Sequence, residues 1–429
     1  MTALRQRWPV LARALALFLV GVIAYTGCDA LMPGATGEAG RPVPGVTDDS
    51  VKVVFIGTDL GKTASLTGFK DPGTGDARAQ VAALEAYINK RGGIAGREME
   101  AVYRPYEASN DSPAAETTLC SRITQDDRAY AVVLTGQLQS NARPCYAQRG
   151  TVMLDATLIA NDKATFTSLA PYLWTGSFPE YDAFAVSFMA VLEREGFFAE
   201  RDKAGIVAAD TPANQAVYRD VVTPALTKLG VTGTVSWIDT TDLGTLNTGL
   251  NQAAVNFRGK QIDRVFFLGG ARIAPFFMTS AAAQNFTARY GVSTFDNPSF
   301  MVNNPATIPP AALKGMVGVG FAPAYDVPDS VLPFPSTEAE KTCLSIFEAA
   351  GIKFAKRENA RVAFTYCDAA LLLQTAPPGQ KLDTAAFETA TGFGAETGTS
   401  LFAAGTGYRV LKYAGTNFTY EGPVRPLGE

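Results

Sequence analysis

The sequence predicts an α/β protein built as two doubly wound lobes. Three features carry that expectation: short strand-like runs with almost no charge, amphipathic helical stretches between them, and a return of the same beat after Trp174. At 429 residues, 47% of them hydrophobic, the chain has room for two or three domains with proper cores.

The first block opens on Val51–Ile56 (VKVVFI), whose single charge suits a parallel strand buried on both faces. A helix is expected from Asp76 to Lys90, with Val81, Leu84 and Ile88 on one face and Gly92-Gly93 ending it. Met99–Tyr103 reads as the next strand, Pro113–Ile123 as a helix and Tyr130–Leu134 as a strand closed by Gly136. Cys145 falls in the following helix, and Val152–Leu154 is a further strand. The second block repeats the pattern with a helix over Tyr181–Glu195 and a strand over Ala204–Ala208. A helix around Gln215–Leu229, a strand at Thr234–Trp237, a helix over Leu246–Phe257 and a strand at Val265–Leu268 follow. No short-period repeat or heptad pattern interrupts this alternation.

Composition removes whole classes of function. With 37 Lys+Arg against 41 Asp+Glu the chain is mildly acidic, the wrong sign for a nucleic-acid partner. It has no histidine, so a Ser-His-Asp triad, a Cys-His pair and a His-ligated metal site are impossible. It has no CxxC and no paired-carboxylate motif, so neither an enzyme nor a cofactor is expected. The stretch Gly57-Thr-Asp-Leu-Gly61-Lys62-Thr63 looks like a phosphate-binding loop. It sets only three residues between its glycines, however, and runs into another Gly/Pro-rich loop where a P-loop would enter a helix.

The N-terminus sets the compartment. Arg5, Arg7 and Arg13 precede an uncharged run from Ala14 to Tyr25, short of the ~20 residues that span a bilayer. Residues 1–27 are therefore expected to be a signal peptide. Cys28, directly after Thr26-Gly27, resembles the lipidated cysteine of a bacterial lipobox, although Tyr25 stands where an aliphatic residue is usual. A plain signal peptide or an uncleaved anchor is the alternative. Residues 28–47, rich in Gly, Pro and small side chains, read as a flexible tether. Outside the cytosol the remaining Cys120, Cys145, Cys343 and Cys367 can oxidise, and three pairings are open. The sequence-local ones are favoured, Cys120 with Cys145 and Cys343 with Cys367. Each ties neighbouring helices of one α/β unit and is worth ~3–4 kcal/mol on the loop-entropy estimate.

The helix end Tyr87-Ile88-Asn89-Lys90-Arg91-Gly92-Gly93-Ile94-Ala95-Gly96-Arg97 closely resembles the INxxGGIxGR signature of type I periplasmic binding proteins. More specifically, it resembles the branched-chain amino-acid (Leu/Ile/Val) receptors of ABC transporters. Matches follow in order at Asp126–Gly136, Ala204–Asp210, Ile262–Gly270 and Phe364–Ala370. The resemblance covers roughly Val51 to Tyr413. The resemblance implies two lobes joined by three crossovers near Trp174, Val317–Ala322 and Tyr408. Lobe 1 would comprise 48–174 and 322–407, and lobe 2 would comprise 175–321 and 408–429. A small ligand would sit between them at the carboxyl ends of the strands, held by hinge closure, and an ABC permease would recognise the closed form.

The same resemblance nominates the ligand contacts. The loop Gly136–Ser140 offers Gln137 and Ser140, the latter matching a serine that binds the ligand carboxylate and equally readable as an N-cap. Ala156 and Thr157 match a small-residue–Thr segment. Asp155 departs from it and would repel a carboxylate unless it points away. Asn214 stands where a lid tyrosine is frequent, Arg272 where another aromatic is frequent, and Asn303 and Asn304 where a glutamate pairs with the α-ammonium. Tyr181 is a candidate ring or, equally, part of a solvated helix start, and Arg272 an anion clamp or a surface charge. The loop from Ser65 to Thr74 is expected to rim the cleft with Phe69 as a candidate cover, and reads equally as a solvent loop. The expected function is an extracytoplasmic lipoprotein receptor, anchored on the outer face of the membrane or periplasmic, that feeds an importer an amino acid or related compound. The alternative is a sensing or interaction module of the same fold.

Overall fold

The computed structural model describes residues 43–59, 61–62, 67–270, 272–375 and 403–428. The expected signal peptide, Cys28 and most of the tether lie outside the described residues. Two sheets organise the rest. The first has strand order β2-β1-β3-β4-β5-β11 and is parallel throughout: β1 Ser50–Asp59, β2 Glu98–Glu107, β3 Ala131–Leu134, β4 Val152–Asp155, β5 Leu173–Pro179 and β11 Ala403–Gly405. The second has order β7-β6-β8-β9-β10-β12-β13: β6 Lys203–Ala209, β7 Thr232–Ile238, β8 Arg264–Leu268, β9 Arg289–Ser293, β10 Val317–Gly320, β12 Gly407–Tyr413 and β13 Phe418–Pro426. Its last two strands run antiparallel to their neighbours.

Period-two alternation builds both cores. In β1, Val53 and Phe55 point to one face with Leu84, Ile88, Phe347 and Phe364, while Val54 and Ile56 point to the other with Leu119, Tyr146 and Phe166. All four strand residues are fully buried, so a charge at any of them would have no face on which to meet water. The second sheet does the same. Ile206 and Ala208 pack on Phe184 and Phe188, and Val207 packs on Leu246, Leu250 and Phe257.

Helices cover these faces: α1 Ala77–Lys90, α2 Pro113–Ser121, α3 Arg143–Gln148, α4 Lys163–Leu169, α5 Tyr181–Arg194, α6 Pro212–Val217, α7 Thr223–Lys228, α8 Leu243–Gly259, α9 Ile273–Ala283, α10 Pro298–Asn303, α11 Pro323–Asp326, α12 Glu338–Ala349 and α13 Arg357–Thr375. The ends of α1 follow from side-chain chemistry. The Asp76 carboxylate accepts from the N–H groups of Arg78 and Ala79, a cap worth about 1 kcal/mol. At the other end Gly93 has φ 70°, and a Cβ there would lie 1.7 Å from the Arg97 carbonyl oxygen.

The predicted helices 113–123 and 215–229 are each interrupted or extended by a π-turn, at Arg122–Asp126 and Tyr218–Val222. Disulfides join Cys120 of α2 to Cys145 of α3 and Cys343 of α12 to Cys367 of α13, the two sequence-local pairings.

The chain passes three times between the sheets: after Pro179 of β5, through Phe321–Asp326, and between Gly405 of β11 and Gly407 of β12. Trp174 and Val317–Gly320, placed by sequence near crossovers, are strand residues of the first and second sheets. At the middle passage Asp326, fully buried, accepts hydrogen bonds from Thr294 Oγ1 (2.8 Å), Tyr420 Oη (2.7 Å) and the Ala322 N–H (3.1 Å).

Candidate functional site

A cavity of about 550 Å³ lies between the lobes, at the carboxyl ends of the first sheet's strands. Its floor is Gly57–Asp59 from β1, Tyr103 and Pro105 from β2, and Thr135–Leu138 after β3. These strands flank the point where the winding reverses, which is where open α/β sheets bind ligands. The opposite wall comes from Arg272, Phe276 and Phe300, with Tyr325 at the middle passage and Arg361, Val362 and Thr365 from α13. The loop from Lys70 to Asp76 forms the rim.

The lobes touch around this cavity. Phe69 leaves the lobe 1 rim loop and inserts between Phe276 and Phe300 of lobe 2, with ring centroids at 5.2 and 4.9 Å. Beside it the Lys70 N–H donates to Asn304 Oδ1 at 2.7 Å. On the other side Asp111, which follows β2, is shared by four donors: Tyr106 Oη (2.8 Å), the Leu138 N–H (3.3 Å), Gln139 Nε2 (3.0 Å) and Arg272 Nη2 (3.1 Å). Gln139 Nε2 also reaches the Thr240 carbonyl at 2.8 Å. Burial pulls the Arg272 guanidinium below its ordinary range, and the Asp111 charge opposes that. Neighbouring Glu116 is pushed up to about 8, first by burial and then by Asp111. Gly270, at φ 105°, lets the lobes meet: a Cβ there would sit 2.3 Å from the Leu158 carbonyl oxygen.

The residues nominated by sequence divide into three groups. Gln137, Ala156 and Arg272 line the cavity. Ser140 and Asn214, again with Arg272, line a small side chamber of about 50 Å³, room for ordered water. Asn214 Nδ2 donates to the Ala209 carbonyl, and its Oδ1 has no partner among the described residues.

Thr157, Tyr181, Asn303 and Asn304 are not on the cavity wall. The Thr157 hydroxyl donates to Asp155 Oδ1 (2.6 Å), and Asp155 pairs with buried Arg143 and with Asn161 (3.0 Å). Asp155 is thereby neutralised and turned away from the cleft. Tyr181 is 1% exposed and packs on Phe184 and Phe295 in the lobe 2 core; burial raises its phenol. Asn303 donates to both carboxylate oxygens of Glu358 at 2.9 Å, and Asn304 receives the Lys70 N–H, so both bridge the lobes.

Sequence reasoning missed Arg361, Tyr325, Tyr103, Phe276 and Phe300 on the wall. Arg361 and Thr365 recur one turn apart on α13, with Asp368 next on the same side, and all three are buried. A polar stripe of this kind reads as solvated from sequence and marks the cleft only once the second lobe is in place. Among the described residues no group of three or more His, Cys, Asp or Glu is arranged to hold a metal ion.

Comparison with solved structures places this geometry. The chain superposes on the branched-chain amino-acid transporter substrate-binding protein LivJ of Streptococcus pneumoniae in complex with isoleucine. There the TM-score is 0.55 at 13% identity, over 87% of this chain and 100% of that one. A solute-binding protein of an ABC transporter from R. palustris in complex with 4-hydroxybenzoate gives TM-score 0.59 at 14% identity, covering 89% and 98%. The fatty-acid ABC transporter substrate-binding protein of Thermomonospora curvata gives 0.58 at 16%, covering 90% and 95%.

The fold is that of the type I periplasmic solute-binding proteins.

No protein-family model and no curated protein matches the chain. Set on the type I fold, the two sheets are its two lobes and the 550 Å³ cavity is its interlobe cleft. Among the described residues no helix is long and apolar enough to cross a membrane.

Proposed function

We propose that this chain is an exported solute-binding protein that captures a small ligand in the interlobe cleft by hinge closure and delivers it to an ABC importer. The observation that carries this reading is the cleft itself. A ligand-sized cavity is walled by both lobes, and contacts from Phe69, Lys70, Asp111 and Gln139 join those lobes around it. A guest touching both walls favours the closed form by the difference between its affinities for the two states. The basic and apolar first 27 residues support export, and Cys28 supports a lipid anchor that would hold the receptor on the outer face of the membrane, beside a permease. The lobe boundaries follow the three passages between the sheets. We assign the cleft no catalytic step.

Proteins sharing the fold include one in complex with isoleucine, one in complex with 4-hydroxybenzoate and a fatty-acid transporter's binding protein, so the fold alone spans amino acids and other organic acids. An amino acid or related small polar compound is the ligand range that follows. A thermal-shift screen over amino acids, amides and carboxylates tests the reading, because a ligand at a hundred times its Kd adds about 2.7 kcal/mol of stability. At least one solute is expected to raise the melting temperature and to be taken up by cells only when the protein and its permease are both present. A screen of several hundred small solutes with no shift would remove the receptor reading.

A further inference from the structure

Four arginines are buried among the described residues: Arg143, Arg272, Arg357 and Arg361. Three of them have a carboxylate partner. Arg143 pairs with Asp155, Arg272 with Asp111, and Arg357 with both Glu340 and Asp329. Arg361 is the exception. It is 7% exposed and forms no ion pair among the described residues, and its Nη1 has no hydrogen-bond partner there. Its guanidinium stands 5.5 Å over the ring of Tyr325, and both side chains face the interlobe cavity. A buried cation without a counter-ion is costly, and an anion entering the cavity removes that cost. Gln137, 2% exposed on the same cavity, likewise leaves both of its amide atoms without partners among the described residues.

The remaining lining sets the rest of the ligand. Tyr103, Phe69, Phe276 and Phe300 contribute rings, and Leu138 and Leu158 aliphatic surface. The carboxylates on the cavity are Asp59 at the end of β1 and Asp71 and Asp76 on the rim loop; all three are exposed, and each already accepts a backbone N–H at 2.8 or 2.9 Å. Asp111 is saturated by its four donors. Inside the cleft, then, the described residues offer a cation and an amide for an anionic head, apolar surface for a body, and no buried acid for an ammonium.

We infer, on the basis of the receptor reading above, that the cleft selects an organic carboxylate with an apolar or aromatic body over the corresponding α-amino acid, its carboxylate paired with Arg361 and contacted by Gln137.

Two matched ligand series test this by calorimetry on the folded mature chain: 3-phenylpropanoate, its amide and phenylalanine; and 4-methylpentanoate, its amide and leucine. The acid of at least one series is expected to bind ten-fold or more tighter than its amide and its amino acid. Arg361→Met should weaken the acid by roughly 100-fold, since it removes a charge-assisted contact in a desolvated site. It should at the same time raise the melting temperature of the ligand-free protein, because an uncompensated buried charge is gone. Arg361→Lys should recover part of the acid binding. Preference for the amino acid or the amide, or full acid affinity in Arg361→Met, would overturn the inference while leaving the receptor reading in place. Failure of all six compounds and of the wider screen would remove both.

Discussion

Two corners of the cleft carry an arginine each, and they are finished differently. At one, Arg272 of lobe 2 meets Asp111 of lobe 1, and Gln139, which also donates to Asp111, reaches the Thr240 carbonyl of lobe 2; the two crossing bonds exist only while the lobes touch. At the other, Arg361 has no carboxylate partner among the described residues and lies over the face of Tyr325. Disulfides brace both. Cys120–Cys145 ties the helices that follow Asp111 and Gln139, and Cys343–Cys367 ties α13, which carries Arg361, to α12. The contrast teaches that burial alone does not mark a binding residue. At the cleft, the buried arginine whose partner belongs to the other lobe helps close the clamshell, whereas the one without a carboxylate partner is left for the guest.

The largest effect that would break this comparison is at the finished corner. Asp111→Ala leaves Arg272 buried and unpaired in the closed form and should cost about 3–5 kcal/mol of closure. The change reads out as an open envelope in small-angle scattering with the lobes still folded. Opening either disulfide, by Cys120→Ser with Cys145→Ser or by Cys343→Ser with Cys367→Ser, should lower unfolding stability by about 3.5 kcal/mol on the loop-entropy estimate. The loss should appear in chemical denaturation with and without ligand alike, since it acts on the lobe and not on the cleft.

Next to Tyr325, Asp326 is held up to about 7 by burial, despite hydrogen bonds from Tyr420 and Thr294; Asp296 is a nearby acid, and Arg409 stacks on Tyr420. A folded-state value above the unfolded one means that the native state binds the extra proton. Its contribution is full below about 4 and is lost as pH rises to about 7, with a slope of at most about 1.4 kcal/mol per pH unit. Relative to Asp326→Asn, the natural protein should therefore lose melting temperature between pH 5 and 7, and the gap should level off above that. The smallest effect belongs to Asn304→Ala, which removes the acceptor for the Lys70 N–H and should cost about 1 kcal/mol of closure. It would be seen as a modest loss of ligand affinity with no change in the fold.

Much of the architecture was legible because burial on both faces leaves a local imprint. Uncharged runs such as Val53–Ile56 have to be interior strands, and the capping carboxylate of Asp76 and the Gly92-Gly93 turn bound a helix without help from elsewhere. The sequence-local cysteine pairs were legible for the same reason, since each pair sits on helices of one layer. The antiparallel hairpin β12–β13 was not anticipated: its strands alternate buried and exposed residues weakly, and their place is set by pairing with β10.

The site was less legible, above all in lobe 2. Gln137 and Ala156 follow strands and inherit the positions of strand ends, so sequence register locates them. Asn303 ends the short helix α10 that follows the left-handed turn at Asn297, and Asn304 is its C-cap; that geometry directs them at Glu358 and the Lys70 loop of the other lobe. Tyr181 was placed by sequence at a helix start, where a ring can face solvent or core. The aromatic cluster of Phe184 and Phe295 decides for the core. Arg361 is reached only by knowing which helix face the second lobe covers.

Small-angle scattering on the wild-type protein, without and with a solute that raises its melting temperature, tests the clamshell most directly. The account predicts a smaller radius of gyration with the solute bound, and loss of that contraction in Asp111→Ala. A stabilising solute that leaves the envelope unchanged in both proteins would contradict it.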